Sequence, residues 1–127
     1  KKSLIIQFQK IPEEFLVYFI RGYFDGDGSV YLTTYLRTKD QRKQTDFRCN
    51  FTSGSLEFLN SLRDLLTKRL DLFPRKVCIY GNGNQYKLEY AGKDARKLLE
   101  FIYKDLKKAP YLERKFAIYQ KYLKHNI

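Results

Sequence analysis

Ile20-Arg21-Gly22-Tyr23-Phe24-Asp25-Gly26-Asp27-Gly28 is the most constraining run in this 127-residue chain. It closes a segment that is apolar at Phe15, Leu16, Val17, Tyr18, Phe19, Ile20, Tyr23 and Phe24 and that follows Pro12-Glu13-Glu14. Proline suits a first helical position and acids suit a first turn, so a helix is expected from about Pro12 to about Gly26. Its apolar residues cover nearly the whole circumference, and such a helix is buried on more than one side. One side can face a sheet; the other needs a second partner. Gly22 and Gly26 fall on one helix face, and small residues so spaced let another backbone approach closely. A homodimer would pair two copies of the helix about a two-fold axis, with Phe19, Gly22, Tyr23 and Gly26 at the contact. Each copy ends in Asp25-Gly26-Asp27, so carboxylates would converge at the base of the pair. These are hard oxygen ligands of the kind that suit Mg²⁺.

Outward from this run the chain alternates. From Ser29 to Arg37, Val30, Leu32, Thr34 and Leu36 form one face and Ser29, Tyr31, Thr33, Tyr35 and Arg37 the other, the pattern of a strand with one buried side. Thr38 to Thr45 is polar and basic and reads as a hairpin loop. A second strand, Asp46 to Thr52, is expected to bury Phe47, Cys49 and Phe51 and to expose Arg48 and Asn50. Ser53-Gly54-Ser55 supplies caps for a helix whose apolar stripe (Leu56, Phe58, Leu59, Leu62, Leu65, Leu66) runs to about Leu70. Pro74 ends the connection. Arg75 to Tyr80 and Asn84 to Tyr90 then form a hairpin across Gly81-Asn82-Gly83. A third helix is expected from about Lys93 to Tyr103, and Pro110 opens a fourth with Leu112, Phe116, Tyr119 and Leu123 inward. The order α-ββ-α-ββ-α-α, with hairpins covered by helices, argues an α+β fold with an antiparallel sheet. Its second sheet face is polar and basic and lacks a partner.

The net charge of +11 is the electrostatic footprint of a polyanion partner, most often nucleic acid. No stretch approaches the roughly 18 uninterrupted apolar residues that a membrane span needs. With 43% hydrophobic residues and no Pro/Gly/Ser-rich linker, residues 1–127 read as one domain. Cys49 and Cys78 lie singly in strand-like segments and read as core thiols, which fit an intracellular, reducing compartment. No signal-peptide pattern precedes the first helix, so secretion is not expected. A single histidine, His125, makes a His-based nuclease improbable, and the absence of a Gly-Lys-Ser/Thr loop argues against nucleotide hydrolysis.

The run Ile20–Gly28 resembles the LAGLIDADG motif position for position. Gly22, Asp25, Asp27 and Gly28 match it, Ile20, Tyr23 and Phe24 are apolar where that family is apolar, Gly26 is a common substitute for alanine, and Arg21 departs from the usual small residue. The resemblance implies a homing endonuclease of the single-motif, homodimeric type. Such an enzyme has a curved four-stranded antiparallel sheet, with one face for double-stranded DNA and helices on the other. It would make a double-strand cut in a long DNA target with Mg²⁺ (or Mn²⁺). Asp27 is then the metal-binding catalytic residue, the Gly28 carbonyl a second metal ligand, and Lys115 a basic residue that polarises the scissile phosphate or a water. Asp25 reads as capping or packing as readily as catalysis. Relatives often carry Gln or Lys at the end of the second strand, where this chain has Asn50, Phe51, Thr52 and Ser53.

Competing readings of the motif are weaker. An EF-hand loop fails because Val30 stands where its glycine is required and Leu36 where its final glutamate is. Asp-Gly-Asp-Gly can also serve only as a turn out of the helix. Lys115 can be an ordinary solvated lysine. A two-stranded ribbon fits the major groove, and the expected DNA contacts are Tyr31, Thr33, Tyr35, Arg37, Arg48, Asn50, Gln85, Lys87 and Glu89. Lys76, Tyr80 or Arg75 represent the third strand, whose DNA-facing side alternation leaves open. Lys39, Arg42 and Lys43 suit phosphate contacts. Lys104, Lys107, Lys108, Lys121 and Lys124 suit phosphate contacts or a solvated basic face. The alternative function is a binding module of the same fold: an intron maturase or a transcription regulator without cleavage. An intein-derived half is a further reading, without visible splicing blocks.

Overall fold

The structure is a computed structural model and describes residues 11–104 and 113–125. Pro110, Leu112, Lys107 and Lys108 lie outside the described residues. The elements are α1 (Glu13–Asp27), β1 (Gly28–Leu36), β2 (Lys43–Ser53), α2 (Leu56–Leu70), β3 (Cys78–Tyr80), β4 (Gln85–Ala91), α3 (Gly92–Ile102) and α4 (Glu113–His125). The strands form one antiparallel sheet in the order β1-β2-β4-β3. No helix among the described residues is long and apolar enough to cross a membrane.

Pro12 sits one step before its expected place, as the N-cap of α1 with φ −55° and ψ 141°. Its fixed φ suits that position, and the first helical turn closes from the Phe15 N–H to the Pro12 carbonyl at 2.9 Å. At the other end no loop intervenes. Gly28 is extended, its N–H bonds the Phe24 carbonyl, and the chain passes directly into β1. A side chain at Gly28 has no room, since a Cβ there would lie 2.6 Å from the Phe24 carbonyl oxygen and 2.9 Å from that of Asn50. Only glycine permits so close an approach of helix end and second strand.

The core lies between the sheet and the helices. Leu16, Ile20 and Phe24 of α1 meet Phe47, Cys49 and Phe51 of β2, Leu88 and Tyr90 of β4, and the inner stripes of α2 and α3. Ser55 caps α2 as expected, accepting the Phe58 N–H at 3.1 Å. Tyr122 of α4, which the helical pattern left out, is buried and stacks on Phe47 with centroids 3.8 Å apart, beside Tyr119. Phe116 and Leu123 are only partly buried.

Several expectations need correction. The β1–β2 hairpin runs beyond the helices, so Thr34 and Leu36 are exposed despite their place on the apolar side. Lys43 belongs to β2 and pairs with Leu36, which shortens the loop. The expected third strand is reduced to Cys78–Tyr80 because the preceding segment serves the core. Val77 is buried there; just upstream of the expected strand Leu72 is buried and the Phe73 N–H goes to the Asp94 carboxylate at 3.1 Å. Cys78 is consequently exposed and no core thiol; Cys49 is buried.

Candidate functional site

The last turn of α1 carries two carboxylates with different fates. Asp25 accepts a hydrogen bond from the Tyr103 hydroxyl at 2.9 Å. Burial, then the negative charge of Asp25, holds the Tyr103 phenol protonated far above its ordinary range. Asp27, at the helix end, is exposed, and its carboxylate takes no hydrogen bond or ion pair among the described residues. Its backbone is fixed: the Thr52 hydroxyl donates to the Asp27 carbonyl at 2.9 Å. Tyr23 braces the same corner. Its ring packs on Phe51 and Phe58 and its hydroxyl donates to the Thr52 carbonyl, while burial, despite a hydrogen bond to Ser53, raises its pKa.

Lys115 is not a solvated lysine. Only 7% of it is exposed, and its ammonium donates to the carbonyls of Phe24 (2.9 Å), Asp25 (3.0 Å) and Gly28. These carbonyls lie at and just beyond the C-terminus of α1, where Phe24 also accepts the Gly28 N–H and where a cation complements the helix dipole. Burial lowers its pKa, opposed by Asp25 and Asp27. Three carbonyl acceptors use all three N–H bonds of the charged form, and the neutral amine has only two. Lys115 is therefore a cap that ties α4 to the end of α1. It holds the Gly28 carbonyl that the family resemblance assigns to a metal. Arg21 caps reciprocally: fully buried, it donates to the carbonyls of Ile102 (2.6 Å) and Lys104 (2.7 Å) at the end of α3. This accounts for a large residue at that motif position.

Much of the outer face of α1 is left uncovered by the described residues. Phe15 is 54% exposed, Phe19 is half-buried, and Gly22 and Gly26 are exposed with nothing within 4 Å of where a Cβ would be. Nothing inside one copy requires glycine at either position, and each weakens a helix by about 0.5–1 kcal/mol relative to alanine.

The open sheet face lies beside Asp27. The register aligns Tyr31 with Arg48, Thr33 with Asp46 and Tyr35 with Gln44; on the other side it aligns Asn50 with Glu89 and Thr52 with Lys87. Tyr31, Thr33, Tyr35, Arg37, Lys39, Arg42, Lys43, Arg48, Lys76 and Gln85 are all exposed, and Lys87 is partly so. Arg37 and Arg42 flank Asp40 in the hairpin tip at 3.5 and 3.8 Å. β3 settles its own orientation: Cys78 pairs with Lys87 and Tyr80 with Gln85, and the Lys87 ammonium lies 5.3 Å from the Tyr80 ring centre. Asn50 is a correction. It is 1% exposed in the central strand, between Ser29 and Glu89, and its amide donates to Glu89 at 3.4 Å. The role of Thr52 also escaped the sequence. So did the pairing of Arg48 with Asp46, although two residues apart on one strand share a face.

Among the described residues no three His, Cys, Asp or Glu side chains gather to hold a metal ion. Asp27 is an exposed carboxylate that a hard cation would suit if a second copy supplied another.

Residues 14–103 match the sequence profile of a LAGLIDADG-like domain. No curated protein matches the chain by sequence. Three similar solved structures are those of homing endonucleases. The archaeal intron-encoded I-Vdi141I complexed with DNA is 18% identical, with TM-score 0.65 over 87% of this chain and 67% of that one. I-CvuI in complex with the I-CreI target is 17% identical, with TM-score 0.61 over 87% and 65%. I-LtrWI bound to its target DNA is 17% identical, with TM-score 0.61 over 87% and 37%. This chain thus spans about two thirds of the first two and little more than a third of the last. At these identities the likeness establishes the fold.

Proposed function

The chain belongs to the LAGLIDADG-like domain family, and from that premise we propose that two copies form a site-specific homing endonuclease that makes a divalent-metal-dependent double-strand cut in a long DNA target. The observation that carries this reading is the end of α1. It presents an exposed Asp27 directly beside an open, largely basic sheet face, on a helix whose outer stripe carries Gly22 and Gly26 with open space beside them among the described residues.

Pairing the outer stripes about a two-fold axis would bring the two Asp27 carboxylates together under the bound duplex. A divalent ion held there, Mg²⁺ or Mn²⁺, would activate water and stabilise the leaving oxygen of the phosphodiester. The protein's part is positional. Thr52 and the Tyr23 hydroxyl fix the turn after the helix. Lys115 fixes the helix end itself through its carbonyls, and so serves the cut by placement instead of touching the phosphate. A cation reaching the Gly28 carbonyl would share that oxygen with an ammonium, so Asp27 carries the ion. The basic and tyrosine-bearing strands take the major groove, phosphate contacts making binding salt-dependent and base contacts setting the site.

A binding-only relative, maturase or regulator, is the second reading, favoured by the complete engagement of the Lys115 ammonium with backbone. Incubation with a randomised duplex library and Mg²⁺ separates the two. Specific cuts in both strands that vanish with EDTA and in Asp27→Asn establish the endonuclease. Salt-dependent binding without cutting under any divalent ion assigns the chain to the binding-only class.

A further inference from the structure

The middle of the open sheet face is close to electroneutral, in a chain that carries a net charge of +11. Arg48 there is flanked by two acids. Its Nε donates to both oxygens of Asp46 at 3.1 and 3.0 Å, and its Nη1 to Glu89 at 3.4 Å. Lys87 approaches the same Glu89 at 3.9 Å, and Asn50 donates to it. The Arg48 and Asp46 side chains are 45% and 41% exposed, so the pair adds little to stability. Nor do the acids help hold a polyanion: a phosphate seated on Arg48 would sit against two carboxylates.

We propose that Asp46 and Glu89 hold Arg48 as a reader of guanine, at one position in each half of the DNA target. The proposal rests on the reading of the chain as a dimeric DNA-binding protein. An arginine has five N–H donors. Asp46 occupies the one on Nε and Glu89 one on Nη1, which leaves three at the tip of the side chain. Guanine offers two acceptors, N7 and O6, on its major-groove edge, and a guanidinium tip matches both. A base edge carries no net charge, so the flanking carboxylates do not oppose it as they oppose phosphate. They also fix the side chain before binding, which lowers the ordering cost of the contact. The register leaves the position accessible, with exposed Tyr31 across the ladder on one side and the small Ala91 on the other. Arg48 is thus a specificity residue, and Asp46 and Glu89 are its positioning residues.

Selection of bound duplexes from a randomised pool, with the intact chain and its Arg48→Lys, Arg48→Ala and Asp46→Asn variants, tests this. The expected result is a guanine fixed at one symmetric pair of positions. Replacing it, or substituting 7-deazaguanine there, weakens binding about ten- to a hundredfold. Arg48→Lys keeps the charge and the salt dependence but loses that preference. Asp46→Asn relaxes it with the salt slope unmoved. If the selected site is the same with Arg48→Ala, or if that variant only lowers the salt slope by about one across all sequences, Arg48 is a bystander or a phosphate contact and the proposal is overturned. A pool that yields no preferred duplex even for the unaltered chain overturns the DNA-target reading itself, a different outcome from either of these.

Discussion

The inner and outer faces of α1 are built from similar residues and meet opposite surroundings. Leu16, Ile20 and Phe24 on the inner face are buried against the sheet and α3, worth about 1.5–3 kcal/mol each. Phe15, Gly22 and Gly26 on the outer face are exposed, leaving apolar surface and bare backbone uncovered by the described residues. The two carboxylates of the last turn divide in the same sense: Asp25 is bonded by Tyr103, and Asp27 is exposed, its carboxylate unengaged among the described residues. The inner face is optimised for one copy of the chain. The outer face carries a cost within one copy, which the proposed pairing with a second copy would explain.

Replacing Gly22 and Gly26 together by leucine breaks the contrast most directly. Each new side chain would collide with a paired helix, at about 1–3 kcal/mol per site and copy. Dimerisation is therefore expected to weaken at least roughly a thousandfold. Leucine is also the better helix former, so the thermal stability of the monomer is expected to hold or rise. Sedimentation and thermal melting of the double variant read both. A dimer that survives would remove the outer face as the interface.

Gly28→Ala is expected to cost about 3 kcal/mol or more in a denaturant titration, because the added Cβ meets Phe24 and the Asn50 carbonyl. Gly26→Ala, two residues away with open space around it, is expected to cost nothing and to gain about 0.5–1 kcal/mol. An equal loss at both positions would erase the distinction between a glycine required by the fold and one reserved for a partner.

Lys115→Met removes a donor from the carbonyls of Phe24, Asp25 and Gly28, the first of which keeps the Gly28 N–H, and should destabilise the chain by about 1–3 kcal/mol, with faster hydrogen exchange at the end of α1. A variant of unchanged stability but reduced cleavage would instead mark Lys115 as a group that acts on the phosphate.

The smallest effect is alkaline. Burial raises the pKa values of Tyr23, Tyr90, Tyr103 and Tyr119, the last to about 12, from a free value of 10.0. An acid whose pKa rises on folding contributes stability that is complete below the free value and is lost as pH climbs through the folded one. Stability should therefore begin to fall above about pH 9, the free value of the buried Cys49 thiol, whose pKa burial also raises, and fall further above about pH 10. Tyrosinate absorbance should rise in two steps, exposed phenols first and the buried ones with unfolding; a single step at the free value would contradict their burial.

The helices and strands were legible because their signals are local. Pro12-Glu13-Glu14 starts α1, Ser55 caps α2, and Val30, Phe47, Cys49 and Phe51 mark the covered side of the first hairpin by alternation alone. Asp27 was legible for the same reason, as an acid at a glycine-spaced helix end. Even here, alternation failed at Thr34 and Leu36, which are exposed beyond the helices of the described residues.

The sequence by itself thus determined the order of elements, the two-sided apolar character of α1 and the acid at its end, all set by spacing within a few residues. Only the tertiary structure decided which donors and acceptors meet. Lys115 reaches Phe24 across 91 positions, Tyr103 reaches Asp25 across 78, and Arg48 finds Glu89 across 41. Such partners follow from the packing of α4 on the sheet and from the β2–β4 register. A residue's own neighbours carry no trace of either, because a buried ammonium or a fixed guanidinium is defined by the groups around it in space.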